Sequence, residues 1–259
     1  MKKIWIGAGL AFALALAGCG GGEKTEAPKT DASATAGGAA ATPDMDNGAT
    51  VTGKVSFDGA KPTPKTIDMS AVPACMNAHK TPQKSEEVIV NDNGTLKNVF
   101  VWVKSGLPAD KTWAVPTSPV ALTQEGCMYQ PHVIGAMAGQ NLDIKNADPT
   151  GHNIHPMPVN NPDFNQSQTP GGPDIMHTFA REEVLIPVKC NVHPWMRAYI
   201  GVVNHPFFAV TGDDGSYTIK GLPPGTYTIQ IVHEKYGNQE QQITVAPKDS
   251  KTLDFKVTG

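Results

Sequence analysis

The sequence predicts an all-β protein, and two observations carry this prediction. Apolar and polar residues alternate with a period of two, the pattern of strands that bury one face. The alternating segments are Val51 to Phe57, Val99 to Val103, Tyr227 to Ile231 and Leu253 to Val257. The chain also has 26 Gly and 22 Pro among 259 residues, and many of them stand in turn-forming clusters between these segments. No segment after residue 18 keeps a helical period for three turns, which excludes a helical bundle.

The charge balance excludes one class of partner. The chain has 21 Lys and Arg residues against 24 Asp and Glu residues, and its formal net charge at pH 7 is -3. Such a chain has no overall basic field to neutralise phosphates, so we expect no nucleic-acid partner. Its length suits one or two compact domains.

The N-terminal residues predict export and lipid attachment. Two lysines precede an apolar run from Ile4 to Ala17 that is too short to span a bilayer, so residues 1–18 have the layout of a signal peptide. Leu16-Ala17-Gly18-Cys19 resembles the bacterial lipobox. This resemblance implies diacylation of Cys19 and a place on the periplasmic or cell-surface side of a bacterial membrane. Gly20 offers no obvious inner-membrane retention signal, which favours the outer membrane. The alternative is an ordinary signal region in which Cys19 stands by chance.

Residues 19–49 predict a disordered tether between the lipid and the folded part of the chain. The segment consists mainly of Gly, Ala, Thr and Pro with a few charged residues, and it has no periodic apolar positions. It therefore lacks the apolar surface that folding requires. A flexible coil of about 30 residues has a root-mean-square span on the order of 30 Å.

The C-terminal residues resemble a known small β-sandwich. Phe208-Ala209-Val210-Thr211 and the stretch from Asp214 to Ile229 look like the carboxypeptidase regulatory-like domain, a prealbumin-like sandwich. The first strand of that family resembles Val51-Thr52-Gly53-Lys54-Val55, which stands far upstream in this chain. The resemblance therefore implies one discontinuous sandwich, built from 50–106 and 206–259, with an inserted domain at 107–205. The alternative is three consecutive units in which the N-terminal strands join the insert.

The predicted insert carries metal-binding residue types in a compact pattern. Cys190-Asn191-Val192-His193-Pro194-Trp195-Met196 places a thiolate, an imidazole and a thioether on one short loop. His152 offers a second imidazole 38 positions before Cys190. Two His, one Cys and a weak Met are the donors of blue-copper sites, whose geometry serves both Cu(I) and Cu(II).

This pattern resembles the cupredoxins, and within them the amicyanins, which share the Cys-x2-His-x2-Met spacing, the following Arg197 and a similar His-Asn-x-His stretch. The resemblance implies a Greek-key β-sandwich that holds one type 1 copper ion. The implied ligands are His152, Cys190, His193 and Met196. It further implies that Asn153 steadies the thiolate loop and that His155 is not a ligand. Val192 stands where amicyanins have proline, and it keeps an N–H that can donate to the Cys190 sulfur.

The two remaining cysteines are Cys75 and Cys127. With Cys19 assigned to the lipid and Cys190 to copper, they are free to pair as a disulfide in an oxidising compartment, and separate thiols are the alternative. Each is followed by a histidine, at four and five positions, which would also suit a second metal site. Neither pair, however, has the short double-cysteine spacing of a zinc module.

Three functions are compatible with these features. The copper ligands favour a membrane-tethered electron carrier that exchanges single electrons with redox protein partners. A copper-delivery or copper-storage lipoprotein would use the same ligands, and a surface adhesion or glycan-binding protein would use the regulatory-like sandwich. We do not expect an enzyme. The sequence has one blue-copper cysteine motif, no Cys-x2-Cys-His haem motif and none of the His-x-His pairs of a multicopper oxidase.

Overall fold

The computed structural model describes residues 40–259. The predicted signal peptide at 1–18, the lipid site Cys19 and the part of the predicted tether before residue 40 lie outside the described residues. Within the described range, no helix is long and apolar enough to cross a membrane. The prediction of an all-β protein is confirmed, since the described part contains seventeen strands and one helix of five residues.

The elements are numbered in chain order. The first are β1 (Ala49–Asp58), α1 (Pro73–Asn77), β2 (Phe100–Ser105), β3 (Val120–Glu125), β4 (Met128–Gln130) and β5 (Val133–Met137). The next are β6 (Asn141–Asn146), β7 (His152–Pro156), β8 (Gln166–Gln168), β9 (Ile175–Thr178), β10 (Glu183–Lys189) and β11 (Arg197–Val203). The last are β12 (Phe208–Val210), β13 (Ser216–Leu222), β14 (Gly225–His233), β15 (Gly237–Val245), β16 (Ser250–Thr252) and β17 (Phe255–Thr258).

Two four-stranded sheets form a first sandwich. One sheet has the order β13-β1-β16, with β17 also pairing with β1, and the other has the order β12-β2-β14-β15. Along β1 the burial alternates as predicted, with Val51 and Val55 buried and Lys54 exposed. Ile229 and Phe255 belong to one hydrophobic cluster that both sheets supply. These strands come from the two segments that the sequence predicts to fold together. The domain boundaries themselves stay a prediction.

A five-stranded and a four-stranded sheet form a second sandwich. Their orders are β5-β11-β10-β7-β8 and β4-β3-β6-β9. Side chains from both sheets, such as Leu122 and Ile186, share a second hydrophobic cluster that also contains Cys190 and Met196. This sandwich positions the candidate site, because His152 is the first residue of β7 and the loop that carries Cys190 connects β10 to β11.

The two sandwiches meet where β2 packs on β5 and β11. The buried side chains of this contact are Phe100, Trp102, Val133 and Val203. Gly135 and Gly201 face each other on the paired strands β5 and β11. A Cβ at Gly201 would lie 2.4 Å from the Phe100 ring, and one at Gly135 would lie 2.4 Å from the Phe208 ring. The two glycines therefore provide the space that the aromatic rings occupy.

The chain joins the fold before residue 50, which corrects the C-terminal end of the predicted tether. The Ala41 N–H donates to the Thr112 carbonyl, and the Ala114 N–H donates to the Ala41 carbonyl. Ala41 also packs against the first hydrophobic cluster, and β1 begins at Ala49. Residues 41–49 are therefore held by backbone hydrogen bonds and by the packing of Ala41 and Ala49 at their two ends, although their composition resembles that of the preceding residues.

Candidate metal centre

The structure brings the predicted ligands His152, Cys190 and His193 together. The fourth predicted ligand, Met196, is buried on the loop that carries Cys190 and His193. The Nδ1 atoms of His152 and His193 lie 2.9 Å apart, and the Cys190 Sγ lies 3.9 Å from the His193 Nδ1. Ligand atoms of these three residues all lie within 4.8 Å of one another. The exposed fractions are 2% for His152, 3% for Cys190, 1% for His193 and 0% for Met196. Water therefore has little access to the donor atoms.

Backbone hydrogen bonds close the ligand loop. The Cys190 N–H donates to the Met196 carbonyl over 3.3 Å, and the Met196 N–H donates to the His193 carbonyl over 2.9 Å. Lys189 and Arg197, on either side of the loop, are paired across β10 and β11. The strand pair thus holds a thiol, an imidazole and a thioether within one tight connection.

A carboxylate orients His152. The His152 Nε2 lies 2.8 Å from the Asp148 Oδ2, and the Asp148 carboxylate also accepts the backbone N–H groups of Gly126 and Cys127. Burial raises the pKa of Asp148, but these hydrogen bonds outweigh burial and hold the pKa below its ordinary value of 3.8. The ionised carboxylate accepts the Nε2 proton of His152, which turns the Nδ1 atom of this ring toward Cys190 and His193.

A disulfide lies against the other histidine. Cys75 and Cys127 are joined by an S–S bond of 1.99 Å, and the Cys75 Sγ lies 3.7 Å from the His193 Nε2. Burial, with a smaller contribution from the charge of His152, lowers the pKa of His193 and favours the neutral ring. A disulfide sulfur can only accept a hydrogen bond, so the proton of that ring belongs on Nε2 and the Nδ1 lone pair is directed at His152.

The Cys190 thiol is disposed to ionise. Burial raises its pKa, but hydrogen bonding with His152 and with the backbone N–H groups of His193 and Val192 outweighs burial and lowers the pKa below 9.0. The Val192 side chain is 59% exposed, so this residue meets the sulfur through its backbone while its side chain faces solvent. A thiolate beside two imidazole nitrogens and a thioether is a soft to borderline donor set that fits copper.

An asparagine network ties the ligand loop to β7. The Asn153 Oδ1 accepts the Asn191 N–H over 3.1 Å, and the Asn153 Nδ2 donates to the Asn165 Oδ1 over 2.5 Å. The His155 Nδ1 lies 3.0 Å from the Asn191 Oδ1, so this ring contacts the loop from outside the donor cluster. Asn153 thereby fixes the residue that follows the thiolate.

Sequence reasoning missed Asp148 and the position of the disulfide beside His193. Asp148 stands four residues before His152, and a carboxylate at that short distance was the available signal. The two histidines that follow the paired cysteines lie elsewhere: the His79 Nε2 contacts the Gly126 carbonyl, and the His132 Nε2 lies 2.5 Å from Glu234. Every group of three potential ligand atoms found in the described part of the chain includes a residue of this one centre.

Comparison with known proteins identifies two similarities. Residues 194–258 match the carboxypeptidase regulatory-like domain family. A purple cupredoxin from Nitrosopumilus maritimus is 22% identical, with 32% of this chain and 98% of that chain covered and a TM-score of 0.28. A Cu(I) structure of an amicyanin variant is 16% identical, with 39% and 97% covered and a TM-score of 0.28.

A copper-containing nitrite reductase from Thermus scotoductus SA-01 is 22% identical and has a TM-score of 0.31. The match covers 35% of this chain and 23% of the reductase, so this chain spans less than a quarter of that protein's length. No curated protein sequence matches the chain. Each of the two family resemblances drawn from the sequence thus has a counterpart: a regulatory-like domain at the C-terminus, and similarity to cupredoxin structures.

Proposed function

We propose that the protein is a membrane-tethered type 1 copper protein that transfers single electrons on the extracytoplasmic side of a bacterial membrane. The observation that carries this proposal is the convergence of the His152 Nδ1, the His193 Nδ1 and the Cys190 Sγ in a buried cluster that includes Met196. Copper bound there would supply a one-electron couple between Cu(I) and Cu(II).

The surrounding residues would keep the donor atoms in place during a change of oxidation state. Asp148 orients His152, and the Asn153 side chain holds the backbone next to Cys190. Because these supports are hydrogen bonds within the fold, the ligands need little rearrangement when the charge of the ion changes. A rigid, dry donor set favours electron exchange over a chemical step on a substrate.

Burial of the ligands also favours electron transfer over copper delivery. A delivery protein must release its ion to a partner, whereas all four proposed ligands here are at most 3% exposed. We therefore expect slow removal of Cu(I) from the loaded protein by a strong Cu(I) chelator. Removal within the mixing time would favour the delivery alternative.

The proposed location and partners derive from the sequence. The lipobox-like Leu16-Ala17-Gly18-Cys19 supports a lipid anchor on the periplasmic or cell-surface side, and Gly20, which gives no obvious retention signal, favours the outer membrane. Redox proteins are the proposed partners. Val192 and Pro194 are exposed on either side of the buried His193, so this loop offers a partner a short approach to the ligands.

The visible absorption and EPR spectra of the full-length protein with one equivalent of Cu(II) test the proposal. We expect an intense thiolate-to-copper band and a small copper hyperfine splitting. Cys190→Ala should abolish the band, and His152→Ala should distort the site. His155→Ala is the matched control and should leave the spectra unchanged. Binding of Cu(II) without charge transfer, or loss of the site in His155→Ala but not in His152→Ala, would contradict the assignment.

A further inference from the structure

The Cys75–Cys127 disulfide contacts one histidine of the candidate centre directly and the carboxylate partner of the other. On one side the Cys75 Sγ lies 3.7 Å from the His193 Nε2. On the other, the Cys127 N–H donates to the Asp148 Oδ2, which in turn bonds the His152 Nε2 at 2.8 Å. The disulfide therefore lies within one or two contacts of each imidazole.

The chain reaches this place by two local devices. Cys75 lies on the five-residue helix α1 and is fully buried. Cys127 occupies the turn between β3 and β4 together with Gly126, and both have positive φ, 54° and 63°. Left-handed backbone favours glycine or asparagine, so a cysteine there is disfavoured by local energetics. The turn is held instead by Asp148, which accepts both N–H groups, and by the bond to Cys75.

A tryptophan of the ligand loop completes this contact. The Trp195 Nε1 donates to the Cys127 carbonyl over 3.0 Å, and the Trp195 ring centroid lies 5.2 Å from that of His193. The disulfide contacts the Nε2 edge of the His193 ring, and the Trp195 ring lies beside that ring. His193 is only 1% exposed, although its neighbours Val192 and Pro194 are exposed.

We propose that the Cys75–Cys127 disulfide is a positioning element of the metal centre, which closes His193 to water and fixes His152 through Asp148. The inference rests on the proposed copper function but concerns residues outside the ligand set. A disulfide that served only to stabilise the chain could be removed with a loss of stability alone. Here its removal should change the ligands themselves.

The first test uses the metal-free full-length protein, so that it does not depend on copper. Diethyl pyrocarbonate modifies accessible neutral imidazoles, and peptide mass spectrometry locates the modified rings. Cys75→Ser/Cys127→Ser should make His193 reactive, while His205 and His233, which are only 6% and 3% exposed, should stay protected as controls for an intact fold. Protected His193 in a folded double variant would overturn the proposal.

The second test uses the copper-loaded protein. The double serine variant should bind Cu(II) roughly 10–100-fold more weakly, as is typical when the partners of metal ligands are removed. It should also show a larger copper hyperfine splitting and a lower reduction potential, because water near His193 stabilises the more highly charged Cu(II). Unchanged affinity, spectrum and potential, with only a lower unfolding midpoint, would reduce the disulfide to a stabilising role.

A milder pair of variants decides the matter if the double serine variant does not fold. Trp195→Phe removes the N–H donated to Cys127 and keeps the disulfide, so it should shift the spectrum and potential in the same direction by a smaller amount. Trp102→Phe is the control, since that indole donates to Gln230 in the first sandwich. Identical copper properties in the two variants would contradict the proposal. Failure of the wild type to form a thiolate–copper site would instead refute the proposed function.

Discussion

Acidification should destabilise the fold through two buried histidines remote from the candidate metal centre. The His205 Nε2 donates to the Val103 carbonyl over 2.8 Å, and its Nδ1 accepts the Phe207 N–H over 3.2 Å. The His233 Nδ1 accepts the Lys235 N–H over 3.1 Å. Burial lowers the pKa of each ring from 6.5 to about 4. Protonation of either ring at Nδ1 would also replace the acceptor of its backbone hydrogen bond by an N–H group, which would then face the backbone N–H group.

The expected magnitude derives from these pKa values. The unfolded chain takes up each proton near pH 6.5, so between pH 6.5 and about 4 the unfolded state binds more protons and stability falls as the pH falls. One pKa unit corresponds to about 1.4 kcal/mol, which makes the full difference about 3 kcal/mol per histidine. At pH 5 we expect about 2 kcal/mol for each, or about 4 kcal/mol together. Above pH 6.5 the effect disappears.

Urea unfolding of the metal-free protein, monitored by tryptophan fluorescence at pH 8 and pH 5, measures this loss. Carboxylates titrate in the same range, so the informative quantity is the difference between the wild type and His205→Gln/His233→Gln. The double variant should lose about 4 kcal/mol less than the wild type between the two pH values. His155→Gln, which removes a partly buried histidine at neither of these two positions, is the matched control. An equal loss in the wild type and the double variant would refute the reasoning.

Three further predictions follow from the packing, the ligand set and the N-terminal motif. Gly201→Ala should lower the free energy of unfolding by about 1–3 kcal/mol, because the new Cβ meets the Phe100 ring at 2.4 Å, whereas Gly212→Ala has open space and should be nearly neutral; equal urea midpoints would contradict this. Met196→Leu should keep the intense visible band and raise the reduction potential in voltammetry, since the axial bond is weak; loss of the band would argue against an axial role. Cys19→Ser should move the protein to the soluble fraction without incorporated fatty acid, and unchanged membrane association would count against a lipid anchor.

Local patterns were sufficient for the strands and for the core of the candidate site. In β1, and at the apolar positions Tyr227, Ile229 and Ile231 of β14, burial can be identified from the neighbours two residues away, because strand geometry alternates the faces whatever lies opposite. The loop from Cys190 to Met196 was identifiable for a similar reason: three donor types lie within seven residues, so their proximity follows from chain connectivity. His152 required the resemblance to cupredoxins, since 38 residues separate it from Cys190.

The surroundings of that site depended on contacts that no local pattern encodes. Cys75 meets His193 across 118 residues, and Gly201 meets Phe100 between two sandwiches. Periodicity shows that a side chain is buried, but the neighbour that buries it is selected by sheet order and register, which arise only when distant segments pack. For this reason the sequence indicated that Cys75 and Cys127 were available to pair, and only the folded chain placed their bond against a ligand of the metal centre.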